Sequence, residues 1–187
     1  MTDEIYKPSE DSFLLQKYVK KFSKGLVLDM GTGSGIQAKT ATEKANFVIA
    51  VDTNKKSLKF CKKNITSDKI LFLKSDLFSF FENNQCKKFD TIIFNPPYLP
   101  EDENAKDIAL DGGKRGYEII GRFLSKAKDF LAENGLILMV FSSFTGKESV
   151  NELIHKNGFE FEELESIHIS FENIYCYKIK SISRKSI

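Results

Sequence analysis

The sequence predicts an α/β fold with a seven-stranded, mostly parallel sheet, helices on both faces and an antiparallel hairpin at the C-terminal end. Seven short runs are rich in β-branched and aromatic residues, which is typical of buried strands. Segments with helical periodicity separate most of the first six runs, as in parallel sheets with crossover helices, and the last two runs follow closely enough to form a hairpin. The predicted strands are residues 26–29, 47–51, 70–73, 89–94, 136–140, 159–167 and 174–182.

The first element along the chain is a predicted helix that follows Pro8. Ser9 is its candidate N-cap, and Glu10 and Asp11 suit the positive end of the helix dipole. Glycine- and asparagine-containing segments, 133–135 and 157–158, are expected to end the last two helices. The remaining predicted helices are residues 36–44, 55–63, 117–132 and 147–156. In helix 55–63, lysines at positions 55, 59, 62 and 63 indicate a solvated basic face.

Length and composition indicate one domain. The 187 residues suit a single sizeable core, so we expect one domain over 1–187 with no separate substrate domain. Hydrophobic residues make up 41% and charged residues 29%, and a net charge of +2 does not by itself indicate nucleic acid. No apolar stretch approaches the roughly 20 residues of a membrane span, and residues 1–4 are acidic rather than signal-like. We therefore expect a cytoplasmic protein.

The cysteines and histidines do not indicate a metal site. Cys61, Cys86 and Cys176 are odd in number and lack the paired spacing of a zinc site or a disulfide framework, so three reduced structural thiols are expected. His155 and His168 have no carboxylate or thiol spaced as a co-ligand. A core or surface position is the better interpretation for both histidines.

A glycine-rich turn connects the first strand to the following helix. Residues 29–35 read Asp-Met-Gly-Thr-Gly-Ser-Gly, and Gly31 and Gly33 allow a ligand to approach the backbone closely. The position of the third glycine in the dinucleotide fingerprint is occupied by Ile36, which disfavours pyrophosphate binding. The turn therefore predicts a nucleotide site of another kind.

An aspartate follows or ends each of the first three strands. Asp29, Asp52 and Asp76 would meet at one edge of a parallel sheet, and Asp52 is placed to accept both hydroxyls of a ribose. Any one of them could be a helix cap. Three of them around a glycine turn favour a binding site.

The turn Asn95-Pro96-Pro97-Tyr98 follows the fourth strand and combines a side-chain amide, a rigid backbone and an aromatic ring. Pro96 stops strand pairing and holds Asn95 in an extended conformation, at the end of the sheet where ligands bind. A planar nitrogen-bearing group could be held there, although an isolated Asn-Pro pair often only ends a strand. The polar segment 100–113 that follows is long for a connection, and we expect a lid or substrate loop within residues 99–116.

These motifs carry a family resemblance over almost the whole chain. Residues 29–35 resemble the first motif of the class I methyltransferases that use S-adenosylmethionine, and Asp52 resembles their ribose-binding acid. More narrowly, residues 6–15, the turn 95–98 and the glycines 112–113 together are similar to the HemK family, the glutamine methyltransferases of translation release factors. Bacterial members carry an extra N-terminal helical domain, for which this sequence leaves no room. The resemblance is therefore to the shorter archaeal and eukaryotic branch.

The resemblance implies a site for S-adenosyl-L-methionine, with S-adenosyl-L-homocysteine as product, and no metal. Asp29 and Gly31 would lie near the amino acid moiety, and Asp52 would bind the ribose. Asp76 would accept from the exocyclic amine of adenine, and Leu77 would contact the ring. The helix within residues 1–24 would complete the site. The implied cofactor-binding residues are Ser12, Asp29, Gly31, Gly33, Asp52, Asp76, Leu77 and Asn95.

The implied reaction is methylation of the glutamine amide in the Gly-Gly-Gln motif of a class I release factor. An amide nitrogen is a poor nucleophile because its lone pair is delocalised into the carbonyl. The Asn95 side-chain oxygen and the Pro96 carbonyl can accept its two hydrogens, and Tyr98 would pack on its plane. Catalysis is assigned to Asn95, Pro96 and Tyr98, and substrate binding to these residues and Pro97. Positioning would supply most of the rate enhancement.

Three other functions stay open. Enzymes that methylate the exocyclic amine of adenine in DNA or RNA carry the same four-residue signature, but neither a target-reading domain nor a basic channel is evident here. Lysine methylation fits less well, because an ammonium must first lose a proton and no base is evident. A catalytically silent binding subunit is disfavoured by the complete first motif, Asp52 and Asn95.

The resemblance also implies a partner. The third strand, residues 70–73, lies at the sheet edge in this fold and has neither proline nor inward charge to protect it. Archaeal and eukaryotic members of the family pair with a small zinc-binding activator protein. We expect such a subunit at this edge, and neither a nucleic acid nor a membrane as partner.

Overall fold

A computed structural model describes residues 7–82, 84, 86–98, 113 and 115–182. Strands and helices alternate along most of this part of the chain. The strands are β1 (Leu26–Met30), β2 (Phe47–Asp52), β3 (Ile70–Lys74), β4 (Phe89–Phe94), β5 (Leu131–Ser142), β6 (Phe159–Ile169) and β7 (Glu172–Ser181). The helices are α1 (Glu10–Phe22), α2 (Ile36–Ala41), α3 (Lys55–Asn64), α4 (Ser79–Glu82), α5 (Glu118–Phe130), a 3₁₀ helix (Ser143–Thr145) and α6 (Lys147–Lys156).

The seven strands form one sheet in the order β3-β2-β1-β4-β5-β7-β6. Strands β1 to β5 are parallel, and β7 is antiparallel to both β5 and β6. The predicted mostly parallel sheet with a C-terminal antiparallel hairpin is therefore confirmed. The order reverses between β1 and β4, which is the point in such sheets where ligands bind.

The central strands are buried because helices pack against the sheet. Every residue from 136 to 142 of β5 is buried, and in β4 all but one are. Helix α5 buries residues at intervals of three and four, among them Phe123 and Ala127, which is the predicted core-facing stripe. The ring of Phe123 packs at a tilt of 38° against that of Phe94 in β4, with ring centroids 4.4 Å apart. This packing fixes the end of β4, where the predicted acceptor turn begins.

The sheet has two edges, β3 and β6, as expected from the sequence for β3. Leu71 of β3 is 44% exposed, and Phe60 of the neighbouring helix α3 is 40% exposed. The lysines of α3 are exposed, which agrees with a solvated face. Within the described part of the chain, no helix combines the length and the apolar composition needed to cross a membrane.

Helix α2 is shorter than predicted. It ends at Ala41 rather than near Lys44, because the backbone N–H groups of residues 42–44 each bond a carbonyl three residues earlier, which tightens the chain into turns. Helix α4, which the sequence analysis did not predict, is a single turn after β3. Its burial of Phe81 explains why so short a segment is ordered.

The boundary between α5 and β5 differs most from the prediction. The segment 133–135 was expected to stop the helix, but α5 already ends at Phe130 and β5 begins at Leu131. Strand β4 pairs Phe89 with Leu131 and Thr91 with Leu136, so the extra residues of β5 bulge between these pairs. A Cβ on Gly135 would lie 2.9 Å from the carbonyl oxygen of Phe89. This glycine therefore permits the bulge and does not cap the helix.

Some expectations concern single side chains. Cys61 and Cys176 are buried, but Cys86 is exposed, so the expectation that all three thiols are structural is wrong for Cys86. Both histidines, His155 and His168, are exposed, which agrees with a surface position. The expected lid falls mostly on residues 99–112, which lie outside the described residues, as do residues 1–6, which include only the first residue of the motif 6–15.

Candidate active site

The glycine turn between β1 and α2 is organised by the buried carboxylate of Asp29. Its Oδ2 accepts hydrogen bonds from Oγ1 of Thr32 at 2.6 Å and from the backbone N–H of Ala38 at 3.0 Å. Gly31 has φ +67°, a left-handed conformation that favours glycine, and a Cβ there would contact only a ring atom of Phe94 at 4.0 Å. The turn thus leaves open space beside its backbone, as a ligand cradle requires.

Burial makes Asp29 an unusual acid. Loss of solvent raises its pKa from 3.8 to about 6, although the hydrogen bonds from Thr32 and Ala38 lower it. The folded protein therefore holds this proton more tightly than the unfolded chain. As a result, ionisation of Asp29 opposes folding at neutral pH.

We expect an Asp29→Asn variant to reveal this cost. Relative to the wild type, its free energy of unfolding should rise by about 3 kcal/mol between about pH 4 and about pH 6 and change little above that range. In the wild type, protonated Asp29 stabilises the folded state at pH values below the pKa of the unfolded chain. This contribution is lost as the pH rises through the pKa of the folded protein, and the asparagine variant has no such loss. Denaturant unfolding of both proteins across this range measures the difference. A difference that does not vary with pH would contradict the assignment.

Asp52, at the end of β2, connects the glycine turn to the second strand. Its Oδ2 accepts from the backbone N–H of Gly33 at 2.9 Å, and its Oδ1 accepts from the N–H of Asn54 at 2.8 Å. Burial raises its pKa, while these hydrogen bonds lower it. A third backbone N–H, that of Thr53, also lowers the pKa of this carboxyl. A carboxylate offers about four acceptor sites in all, so capacity to accept from a ligand hydroxyl remains. The structure thus brings Asp29, Gly31, Gly33 and Asp52 together as predicted.

The turn after β3 contains strained backbone. Leu77 has φ +46°, an uncommon conformation for a residue with a side chain, and such outliers cluster at ligand sites. The conformation is held by Ser75, whose hydroxyl donates to the carbonyl of Leu77 at 2.6 Å and accepts from the N–H of Phe80 at 3.1 Å. The distortion marks Leu77 as a candidate contact residue.

Asp76, in the same turn, already has a partner that the sequence analysis did not predict. Arg122 of α5 donates to its Oδ2 at 2.9 Å in an exposed ion pair. Among the residues that the structure describes, nothing bonds to its Oδ1. Asp76 therefore keeps one carboxylate oxygen for a ligand amine, while Arg122 fixes the other.

The acceptor turn after β4 is held by α1. Nδ2 of Asn95 donates to Oδ2 of Asp11 at 3.1 Å and lies 3.4 Å from the hydroxyl oxygen of Ser12. The hydroxyl of Tyr98 donates to the same Asp11 oxygen at 3.1 Å. Asp11 is only 3% exposed. One buried carboxylate thus joins the two side chains that the sequence assigned to catalysis.

Asp11 also fixes which way the Asn95 amide points. A carboxylate only accepts hydrogen bonds, so the NH₂ group must face it and the oxygen must face elsewhere. Oδ1 of Asn95 is buried, and none of the described residues donates to it. An unpaired buried acceptor costs stability and therefore calls for a functional explanation. Its natural partner is the N–H of a bound ligand.

Two further contacts place the acceptor turn. Oγ1 of Thr145, in the 3₁₀ helix after β5, donates to the carbonyl of Tyr98 at 2.8 Å. Nε2 of Gln37, in α2, donates to the carbonyl of Ser12 at 2.8 Å and so connects α1 to the glycine turn. Among the described residues, no group of three potential ligands could hold a metal ion.

Asp11, Gln37, Arg122 and Thr145 are functional candidates that sequence reasoning missed. Asp11 was interpreted only as an acid in the first turn of a helix. A signal was present, because Asp11 lies beside Ser12 within the motif 6–15 that carries the family resemblance. The other three become visible only when the fold brings distant segments together.

Comparison with known proteins agrees with this geometry. Residues 9–167 match the model of a family described as methyltransferase small domain. A Methanocaldococcus jannaschii protein that bears the name of a protein N5-glutamine methyltransferase is 37% identical over 91% of this chain and 89% of its own length. A release factor glutamine methyltransferase of Francisella tularensis is 35% identical over 71% of this chain, and the aligned part covers 50% of that longer protein.

Solved structures share the fold. The E. cuniculi Mtq2-Trm112 complex, responsible for methylation of the translation termination factor eRF1, has a TM-score of 0.75 over 94% of this chain and 98% of that chain, at 23% identity. A DhpI complex with SAH has a TM-score of 0.66 over 93% and 86%, at 14% identity. These similarities establish a class I, Rossmann-like methyltransferase fold. With the family model and the archaeal relative, they show that this chain is an enzyme of the methyltransferase small domain family.

Proposed function

We propose that this enzyme transfers a methyl group from S-adenosyl-L-methionine to the side-chain amide of glutamine in the Gly-Gly-Gln motif of a translation release factor. The observation that carries the proposal is the Asn95 amide, whose orientation Asp11 fixes and whose buried Oδ1 has no donor among the described residues. The glutamine methyltransferase relatives and the eRF1-methylating complex support the choice of substrate.

The cofactor site fits the proposed ligand. The ligand supplies a methyl group made electrophilic by its sulfonium. Asp29 and Gly31 are proposed to lie near its amino acid moiety, and Asp52, which keeps acceptor capacity beside its backbone hydrogen bonds, to accept from the ribose hydroxyls. The strained turn at Leu77, next to Asp76, is suited to an adenine contact, because strain of this kind persists where it serves binding. The proposed set also includes Gly33, Ser12 and Asn95.

The acceptor site works by positioning. Oδ1 of Asn95 and the carbonyl of Pro96 are proposed to accept the two N–H groups of the glutamine amide, while Tyr98 packs on its plane and Pro97 keeps the turn rigid. The nitrogen lone pair is then directed at the methyl group. Alignment of two reactants is worth up to roughly 7–11 kcal/mol of the barrier. No strong base is needed at this stage, because the proton passes to water or a nearby carbonyl during or after transfer.

We propose a single domain in which α1 completes both sites. Asp11 and Ser12 reach from α1 to Asn95, and Gln37 anchors the same turn of α1 to α2. The acceptor and cofactor sites therefore share one short segment of backbone. This sharing couples cofactor binding to the geometry of Asn95.

Transfer of label from S-adenosyl-L-methionine to candidate acceptors tests the proposed function. We expect label in a release factor and none in a variant whose Gly-Gly-Gln glutamine is replaced by alanine. Label that enters only DNA or RNA would favour methylation of adenine instead. Cofactor binding without transfer to any acceptor would favour a silent binding subunit.

We further propose that the edge strand β3 binds a small zinc-binding activator subunit of the Trm112 type. Its outer residue Leu71 and the nearby Phe60 are exposed apolar side chains, and an unprotected edge strand invites strand addition. The complex of the Mtq2 structure supports a partner of this class.

A charge on the edge strand is expected to disrupt this association. Leu71→Lys should lower recovery of a co-expressed Trm112-type protein by about tenfold or more, because it places an ammonium in an apolar interface. Ile182→Lys is the matched control, since Ile182 is 47% exposed but lies at the end of β7. Equal recovery with the wild type and Leu71→Lys would refute the proposed edge.

A further inference from the structure

The rim beside the acceptor turn carries two exposed phenylalanines that the proposed chemistry does not use. Phe144, in the 3₁₀ helix after β5, is 52% exposed, and Phe171, at the tip of the β6–β7 hairpin, is 91% exposed. Large apolar side chains this exposed have no role in the core. When they lie next to a binding site, they mark an interaction surface.

The two phenylalanines are fixed at the same edge of the sheet as the site. Ser142, the last residue of β5, pairs with Ile174 near the start of β7, so the hairpin tip lies at the carboxyl end of the parallel strands. The hydroxyl of Ser142 bonds the carboxylate of Glu172, and the N–H of Asn173 donates to Ser143 at 3.0 Å. The segments that hold Phe144 and Phe171 are therefore directly joined.

The same segment is joined to the acceptor turn. Thr145 follows Phe144 and donates to the carbonyl of Tyr98 at 2.8 Å. The phenylalanines thus lie on the β4–β5 side of the site, whereas the carboxylates of the cofactor site lie on the β1–β3 side. A macromolecule that delivers an amide to Asn95 from this side must cover them.

The chemistry of this rim fits a protein better than a nucleic acid. Lys147 is bonded to Glu163 at 2.7 Å and lies over the ring of Tyr175, and Glu172 is bonded to Ser142. The lysine of this segment, three residues after Phe144, is thus already paired with a carboxylate of the chain, and Glu172, next to Phe171, adds no cation. Binding of a phosphate backbone requires cations that can pair with it, whereas aromatic side chains are typical anchors of protein interfaces.

We infer that Phe144 and Phe171 form the acceptor-docking surface of this enzyme, which binds an apolar segment of the substrate protein outside its methylated glutamine. The inference rests on the proposed function. The surface holds the acceptor protein by contacts remote from the reacting amide. It therefore contributes to binding of the intact acceptor and leaves the methyl-transfer step unchanged.

The test compares the wild type with Phe144→Ala, Phe171→Ala and the double variant, using an intact release factor and a short Gly-Gly-Gln peptide as acceptors. We expect the double variant to raise KM for the intact factor by about tenfold or more, as loss of aromatic anchors does. We expect kcat, the KM for the peptide and the cofactor Kd to match the wild type. Ile182→Ala, at the opposite end of β7, is the control and should change nothing.

The possible outcomes distinguish failure of the docking surface from failure of the proposed reaction. If the wild type and the double variant methylate the intact factor with the same KM, the inferred docking surface is refuted and the proposed function stands. An equal rise of KM for the intact factor and for the peptide would show that the variant distorts the acceptor site, which would also refute the docking surface. If gel filtration shows a wild-type dimer that the variants lose, the surface binds a second copy instead. If the wild type methylates no protein, the proposed function and this inference both fall.

Discussion

Replacement of Asn95 by alanine is expected to reduce kcat by about 10²–10³-fold and to leave the fold intact. The loss should be large because the buried Oδ1 is the group that we propose orients the acceptor amide, and removal of one preorganised hydrogen-bonding group at a reacting centre typically costs this much. The cofactor Kd should rise far less than kcat falls, since Asn95 is only one of the proposed cofactor contacts and the carboxylates of Asp29 and Asp52 are untouched. Steady-state kinetics and equilibrium cofactor binding measure the two effects separately.

Two further variants, Asn95→Asp and Asn46→Ala, test whether the loss of kcat is specific to the Asn95 amide. The aspartate keeps the shape of Asn95 but places a second carboxylate against Asp11, 3.1 Å away in the wild type, so its activity should be as low as that of the alanine variant. Asn46 is exposed at the start of β2, and its replacement should have no effect. An Asn95→Ala enzyme with near-normal kcat would show that the unpaired oxygen does not orient the acceptor.

Replacement of Asp11 by asparagine is expected to have the second largest effect. The variant leaves the donors of Asn95 and Tyr98 facing an amide that can turn either of its ends toward them, so the orientation of Asn95 is no longer fixed. Disrupted buried hydrogen bonds cost about 1–3 kcal/mol each, which corresponds to a reduction of kcat by roughly 10- to 100-fold. The KM for the acceptor peptide should rise less than kcat falls. The variant loses the fixed orientation of the Asn95 amide but keeps the surface that contacts the peptide.

A double-mutant cycle distinguishes this role from a general loss of stability. Tyr98→Phe removes the Tyr98 hydroxyl that donates to Oδ2 of Asp11, so the losses of Asp11→Asn and Tyr98→Phe should not add when the two changes are combined. Asp68→Asn, at an exposed carboxylate after α3, is the control and should have normal kinetics. Additive losses would show that Asp11 and Tyr98 act independently, which would contradict the shared-carboxylate geometry.

The sequence predicted most of the fold because local signals agree with it. β4 and α6 have the predicted boundaries, and Gly31 and Asp52 lie where a strand-turn-helix pattern puts them. The bulge at Gly135 was missed because one of the contacts that require a glycine there is with the distant carbonyl of Phe89, which no local pattern reveals. Short α4 was missed for a similar reason, since burial of Phe81 and not propensity orders it.

The candidate site was predictable at strand ends and much less so elsewhere. A parallel sheet by itself brings Asp29, Asp52 and Asn95 to one edge, and so periodicity was sufficient. Asp11 lies 84 residues from Asn95 in the sequence, and only tertiary packing shows that its carboxylate faces the acceptor turn. Arg122 likewise meets Asp76 only in the folded chain.

The most direct test of the central claim is tandem mass spectrometry of a release factor incubated with this enzyme, the proposed Trm112-type partner and S-adenosyl-L-methionine. The proposed role of Asn95 predicts methylation of the side-chain nitrogen of the glutamine in the Gly-Gly-Gln motif, and methylation about 10²–10³-fold slower when Asn95→Ala replaces the wild type. A methyl group found on a lysine, or an unmodified factor beside methylated adenine in added nucleic acid, would contradict it.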